Sequence, residues 1–98
     1  MRRAARIDDN HNEIVDALRA IGASVKSTAI LKGFVDIVVG YRGKNYLMEI
    51  KDGSKVPSKR KLTPDEKVFH DNWKGEALIV ESVEEAISAL NTASRLNN

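Results

Sequence analysis

Asp36, Glu49 and Lys51 are the residues whose types and spacing best suit chemistry. Asp36 interrupts an otherwise apolar run, and a carboxylate among Val35, Ile37, Val38 and Val39 is costly to bury without a partner or a metal ion. Glu49 and Lys51 are two apart, so on an extended strand both side chains project from one face. An antiparallel hairpin brings that face of the returning strand beside Asp36. Two carboxylates converging in this way make a hard oxygen site suited to Mg²⁺ or Mn²⁺, with a neighbouring backbone carbonyl and water completing the shell. Lys51 would then contact a phosphate, or orient an attacking water and help to deprotonate it. Phosphodiester hydrolysis makes the same demands: an activated water, neutralised phosphoryl charge and a stabilised leaving 3′ oxygen. A structural ion pair of Asp36 with Lys51 or Lys32, leaving Glu49 as an exposed strand residue, satisfies the spacing more simply. An Asp, a Glu and a Lys at loose spacing often recur by chance.

The elements that must position these residues are legible as periodicities. Ile7, His11, Ile14, Val15, Leu18 and Ile21 recur at helical spacing, with Asp8, Asp9 or Asn10 to cap the start and Gly22 to end the run. Ala23 to Ile30 is a weaker strand candidate. Phe34 to Tyr41 is rich in β-branched residues and reads as a buried strand, Arg42 to Asn45 as a short turn, and Tyr46 to Lys51 as the antiparallel partner. Thr63-Pro64-Asp65-Glu66 combines an N-cap hydroxyl, a proline at the first helical position and a carboxylate three residues after the cap, predicting a helix to about Trp73. Ala77 to Val80 is a short strand, and Ser82 to Glu85 forms a second capping box that opens a last helix through Leu90. The expected order is α-β-β-β-α-β-α, an α/β domain with a central mixed sheet flanked by helices. The first six residues and the tail after Thr92 read as loose.

Composition bounds the reading. Ninety-eight residues, 42% of them hydrophobic, make one domain with a single core. Without cysteine there is neither a disulfide framework nor a thiolate metal site. Two histidines, far apart and outside any His-x-x-x-His pattern, disfavour a zinc hydrolase, and the absence of a G-x-G-x-x-G or Walker pattern disfavours nucleotide-driven chemistry. No apolar run is long enough for a membrane span, and the basic start is not followed by a signal core, so a cytoplasmic protein is expected. The net charge is only +2, but basic charge is concentrated in the segment 52–62 after the hairpin. Lys55, Lys59, Arg60 and Lys61, with Arg2 and Arg3 at the start of the chain, are the candidate phosphate contacts. A solvated surface loop explains the segment equally well.

On its hairpin, Val35-Asp36 followed by Glu49-Ile50-Lys51 resembles the signature of the PD-(D/E)xK nuclease superfamily. The longer stretch from Gly33 to Gly75 looks like stand-alone nucleases of the VRR-NUC and phage Holliday junction resolvase type, a likeness spanning about residues 7–90. The resemblance implies a restriction-endonuclease-like core and Mg²⁺-dependent cleavage of DNA, four-way junctions or other branched DNA in particular. Asp36, Glu49 and the Ile50 carbonyl would ligate the metal, Lys51 would activate water or stabilise charge, and Glu13 on the first helix would assist. Paired nicks on a junction imply a homodimer. The family often has glutamine where this chain has Glu66, a residue that the capping box also claims. His70 with Trp73 matches the family's pattern, although such a histidine more often packs beside a core aromatic, and His11 reads as structural. A non-catalytic DNA-binding module on the same fold, an RNA nuclease, or a nuclease of nicking or repair specificity are the alternatives.

Overall fold

The computed structural model describes residues 8–96. Its elements follow in the order α1 (His11–Ala20), β1 (Ser24–Ser27), β2 (Ile37–Tyr41), β3 (Lys44–Ile50), a 3₁₀ turn (Pro57–Lys59), α2 (Pro64–Asn72), β4 (Ala77–Val80) and α3 (Val83–Leu96). The strands form one mixed sheet in the order β1-β2-β3-β4, in which β1, β2 and β3 pair antiparallel and β4 lies parallel to β3.

The central hairpin is tighter than its sequence suggests. Arg42 and Gly43 both adopt positive φ, 52° and 79°, which is the two-residue turn whose twist matches that of the flanking strands. Lys44 and Asn45 are thereby released from the turn to pair with Tyr41 and Gly40. The Arg42 guanidinium lies 5.2 Å from the centre of the Tyr41 ring, a cation–π contact beside the strained residue.

Strand periodicity then divides the sheet into two faces. Ile37, Val39, Tyr46, Met48, Ile50 and Val80 point to one side, where Ile14, Val15 and Leu18 of α1 and Ala86, Leu90 and Ala93 of α3 close the core over them. Val38 pairs with Leu47 on the other face, and continuing that register by two residues sets Asp36 opposite Glu49.

Helix ends follow local chemistry. Thr63 accepts the Glu66 N–H while Glu66 accepts the Thr63 N–H, completing the capping box of α2. Gly22, at φ 98°, ends α1 as anticipated. Asn10 occupies the N-cap position of α1 without capping it; its amide donates instead to the carbonyls of Lys51 and Glu81, tying together the ends of β3 and β4. Ser82 accepts the Glu85 N–H, but the Glu85 carboxylate takes the N–H of Glu81 rather than that of Ser82, so the second box is offset by one residue. The expected loose tail is instead helical to Leu96, because α3 carries Ala93 and Ser94 into the interior. β1 is limited to Ser24–Ser27, and β2 starts only at Ile37. Just before it, the segment turns through Gly33 and is held by Thr28, whose hydroxyl donates to the Val35 carbonyl and whose N–H donates to that of Asp36. Ile7, Arg2 and Arg3 lie outside the described residues. No helix among the described residues is long and apolar enough to cross a membrane.

Candidate functional site

Asp36 sits at the mouth of β2 and Glu49 near the end of β3. The Ile50 N–H donates to Asp36 Oδ2 at 2.7 Å, anchoring this carboxylate across the hairpin. Ile50 itself buries its side chain in the core. Glu49 is 1% exposed. Burial, the adjoining Asp36 carboxyl group and the nearby Glu66 push its pKa from an ordinary 4.5 up to about 9. At neutral pH the Glu49 carboxyl therefore keeps its proton unless a cation takes that proton's place.

That cation is partly supplied from α2 and the end of β3. Lys51 Nζ lies 2.6 Å from Glu66 Oε1, the same oxygen that caps α2, so Glu66 serves both duties. Burial acts to lower the lysine's pKa, but Glu66, Glu49 and Asp8 outweigh it and hold the ammonium above its usual range. Burial would also raise the Glu66 carboxyl, yet Lys51 and the Thr63 N–H keep it below its ordinary value. His70 Nε2 stands 3.4 Å from Glu49 Oε1, and burial depresses the imidazole's pKa despite the acidic groups around it. The result is a half-enclosed cluster of Asp36, Glu49, Lys51, Glu66 and His70.

Other expected participants lie elsewhere. Glu13 is exposed and lines a different groove, of about 670 Å³, with Asp9, Asp52, Glu84 and Glu85. The α1 periodicity that turns Ile14 and Val15 inward turns Glu13 away from the cluster. The acid from this end of the chain that approaches the cluster is Asp8, half-buried before α1, whose pKa burial raises while Lys51 pulls it down and Asp36 pushes it up. Asp8-Asp9-Asn10 supplied more capping candidates than one helix can use, and that surplus was the available signal. Arg60 already spends two of its donors within the protein: Nε donates to the Lys55 carbonyl and Nη1 pairs with Glu81 at 2.8 Å, so the guanidinium braces the basic loop. The loop is built rather than slack, with the Asp52 carboxylate accepting from both the N–H and the hydroxyl of Ser54. Lys59 and Lys61 are exposed, and Lys55 makes only a 3.9 Å approach to Asp9. Among the described residues, no three His, Asp or Glu side chains are already arranged around one cation position. Asp36 is engaged by Ile50 and Glu66 by Lys51 instead.

The helix that delivers Glu66 and His70 buries none of its residues fully. It is held by rings: Phe69 meets Phe34 edge-on at 5.5 Å and stacks on Trp73 at 5.0 Å, while Phe34 meets Trp73 at 6.1 Å. Phe34→Ala should therefore loosen α2 at a cost of roughly 2 to 4 kcal/mol. A lowered melting temperature with faster amide exchange across 64–72 would show this; an unchanged exchange pattern would mean that the rings do not anchor the helix. Compared with known proteins, the chain matches no family model, no curated protein and no solved structure.

Proposed function

We propose that this chain is a divalent-cation-dependent nuclease of the PD-(D/E)xK kind that hydrolyses DNA, branched DNA in particular. The observation that carries the reading is the pair Asp36 and Glu49, opposed across the hairpin on the face away from the core, with the Lys51 ammonium beside it. The donor set fits the cation: hard carboxylate oxygens, one of them holding a proton that a metal ion would displace. Asp36 and Glu49 would hold Mg²⁺ or Mn²⁺, with the Ile50 carbonyl adjoining them. When bound, the ion supplies charge neutralisation and activation of water.

The residues of the chain do the rest. Lys51, kept protonated by its carboxylate neighbours, serves as a donor and a positive charge toward the phosphoryl oxygens rather than as the base that takes a proton. Glu66 positions that ammonium. Asp8 takes the role that the family resemblance assigned to Glu13. His70 fixes the Glu49 carboxyl from the α2 side. Lys59 and Lys61, with Lys55, would contact the backbone of the strand. Water attacks phosphorus and gives up a proton to solvent, the P–O3′ bond breaks, and the leaving 3′ oxygen takes up a proton from solvent, so the products are a 5′-phosphate and a 3′-hydroxyl. Paired nicks on a four-way junction would require two copies of the chain.

The short Lys51–Glu66 pair favours a second reading, in which the cluster is structural and the domain binds DNA without cutting it. A labelled four-way junction, a linear duplex and an RNA of matched sequence, each incubated with Mg²⁺ and with EDTA, separate the readings. The nuclease reading expects cleavage of the junction in Mg²⁺ or Mn²⁺ and none in EDTA. Full activity in EDTA would overturn the metal mechanism, and binding without cleavage would leave the second reading.

A further inference from the structure

The ring cluster that holds α2 extends further than that task requires. Phe34 and Phe69 are half-buried, but Trp73, one residue beyond the last turn of the helix, is 45% exposed. One indole face stacks on Phe69 at an interplanar angle of 26°, and Phe34 meets the ring at 70°. Gly75 adjoins a third side, where a Cβ would come within 3.0 Å of Nε1. Phe69 thus covers one face of the indole, yet the residue keeps 45% of its surface open to solvent. This shelf is continuous with the candidate site: Phe69 also meets His70 edge-on at 5.2 Å, and His70 touches Glu49 at 3.4 Å. Lys32 and Lys74 flank the ring residues in sequence, both exposed and in no ion pair among the described residues.

An exposed aromatic ring beside a phosphate-directed site, with exposed lysines next to the ring residues in the chain, suits one class of occupant. A polynucleotide presents a flat base on one side and an anionic backbone on the other, and a base stacks on an aromatic ring whatever its sequence. A base paired inside a duplex has both faces covered by its neighbours, so along a duplex the ring can take only a base that is unpaired or freed at a branch or an end. We propose that Trp73, supported by Phe69 and Phe34, stacks an unpaired base next to the phosphodiester held at Asp36 and Glu49. The inference rests on the nuclease reading and makes it specific: the preferred strand is single-stranded or frayed at a branch point.

Trp73 is the sole tryptophan, so intrinsic fluorescence reports on this ring alone. With Ca²⁺ replacing Mg²⁺ to fill the oxygen site, the protein is titrated with a dye-labelled oligothymidylate, a four-way junction and a blunt duplex. Dye anisotropy gives binding, and indole emission gives stacking. The expected result is quenching that saturates together with binding for the oligothymidylate and the junction, and little quenching by the duplex. Trp73→Leu, which keeps apolar bulk against Phe69, should weaken binding of the oligothymidylate by about tenfold to a hundredfold and leave duplex binding nearly unchanged. Binding with unaltered emission would overturn the proposal, as would equal losses on all three substrates. Emission that shifts with protein concentration alone would also overturn it, by making the shelf a contact between copies of the chain. Quenching without Mg²⁺-dependent cleavage would keep the shelf and remove the nuclease reading; cleavage without quenching would do the reverse.

Discussion

Asp36→Ala and Glu49→Ala are each expected to slow Mg²⁺-dependent DNA cleavage by about a thousandfold or more, the rate equivalent of the roughly 4 kcal/mol that a correctly held metal ion contributes to the transition state. Affinity for DNA should change far less, because the lysines of the basic loop lie outside the hairpin and phosphate contacts dominate binding. Asp36→Ala also removes repulsion toward the phosphate, so its metal-free binding should tighten slightly, whereas Glu49 is neutral without a metal ion and Glu49→Ala should leave that binding unchanged. Fold damage is the competing explanation for lost activity. Asp36→Ala leaves the Ile50 N–H without its acceptor, and Glu49→Ala opens a hole at a position 1% exposed. The amide variants Asp36→Asn and Glu49→Gln avoid both defects: each keeps shape and an acceptor oxygen while losing the negative charge a cation needs. Equal losses in the amide and alanine variants, with melting temperatures of the amide variants near or above that of the wild type, would assign the effect to metal binding. An amide variant that still cut at the wild-type rate would end the mechanism.

Much of this arrangement can be read in the residues, and the misses have physical causes. Thr63 to Glu66 and Gly22 act through their own backbone neighbours, so local chemistry sufficed to locate the ends of α2 and α1. The hairpin succeeded because alternation along two adjacent strands fixes register once the turn is short. Failures arose where a distant partner decided the outcome. The pairing of Arg60 with Glu81, far along the chain, was not legible from the basic segment alone. Glu13 entered through the family resemblance alone, and its place on α1, one residue before the inward-facing Ile14, leaves it exposed in another groove. Asn10 was available as a cap, and the free carbonyls of Lys51 and Glu81 took its amide instead. The end of α3 depended on whether small residues could enter the core, and Ala93 and Ser94 do. Within the cluster itself, opposition of Asp36 and Glu49 followed from period-two geometry, whereas the reach of His70 and Glu66 required knowing how α2 lies across the sheet.

In EDTA, the stability of the protein should fall as pH rises from about 6.5 toward 9, and Glu49→Gln should abolish most of that fall. The folded protein holds Glu49 protonated up to about 9, while the unfolded chain loses the proton near 4.5. Because the folded value is the higher one, the associated stability is fully present below 4.5 and is lost progressively as pH climbs to about 9. The slope is at most about 1.4 kcal/mol per pH unit. Asp8, also raised, acts in the same direction above 3.8. His70 works oppositely, since its lowered pKa costs stability only as pH falls below 6.5, and Lys51 enters only above 10.5. Glu66, held low, matters on the acid side of 4.5. Between neutrality and pH 9 the Glu49 proton therefore dominates, and thermal melts across that interval isolate it. A divalent cation competes for the same oxygens, so added Mg²⁺ should restore stability increasingly as pH rises, with release of a proton on binding that calorimetry in buffers of different ionisation enthalpy would detect. A Glu49→Gln protein with the same alkaline decline as the wild type would show that the carboxyl group is not held neutral, and would remove the electrostatic reason for a cation at this position.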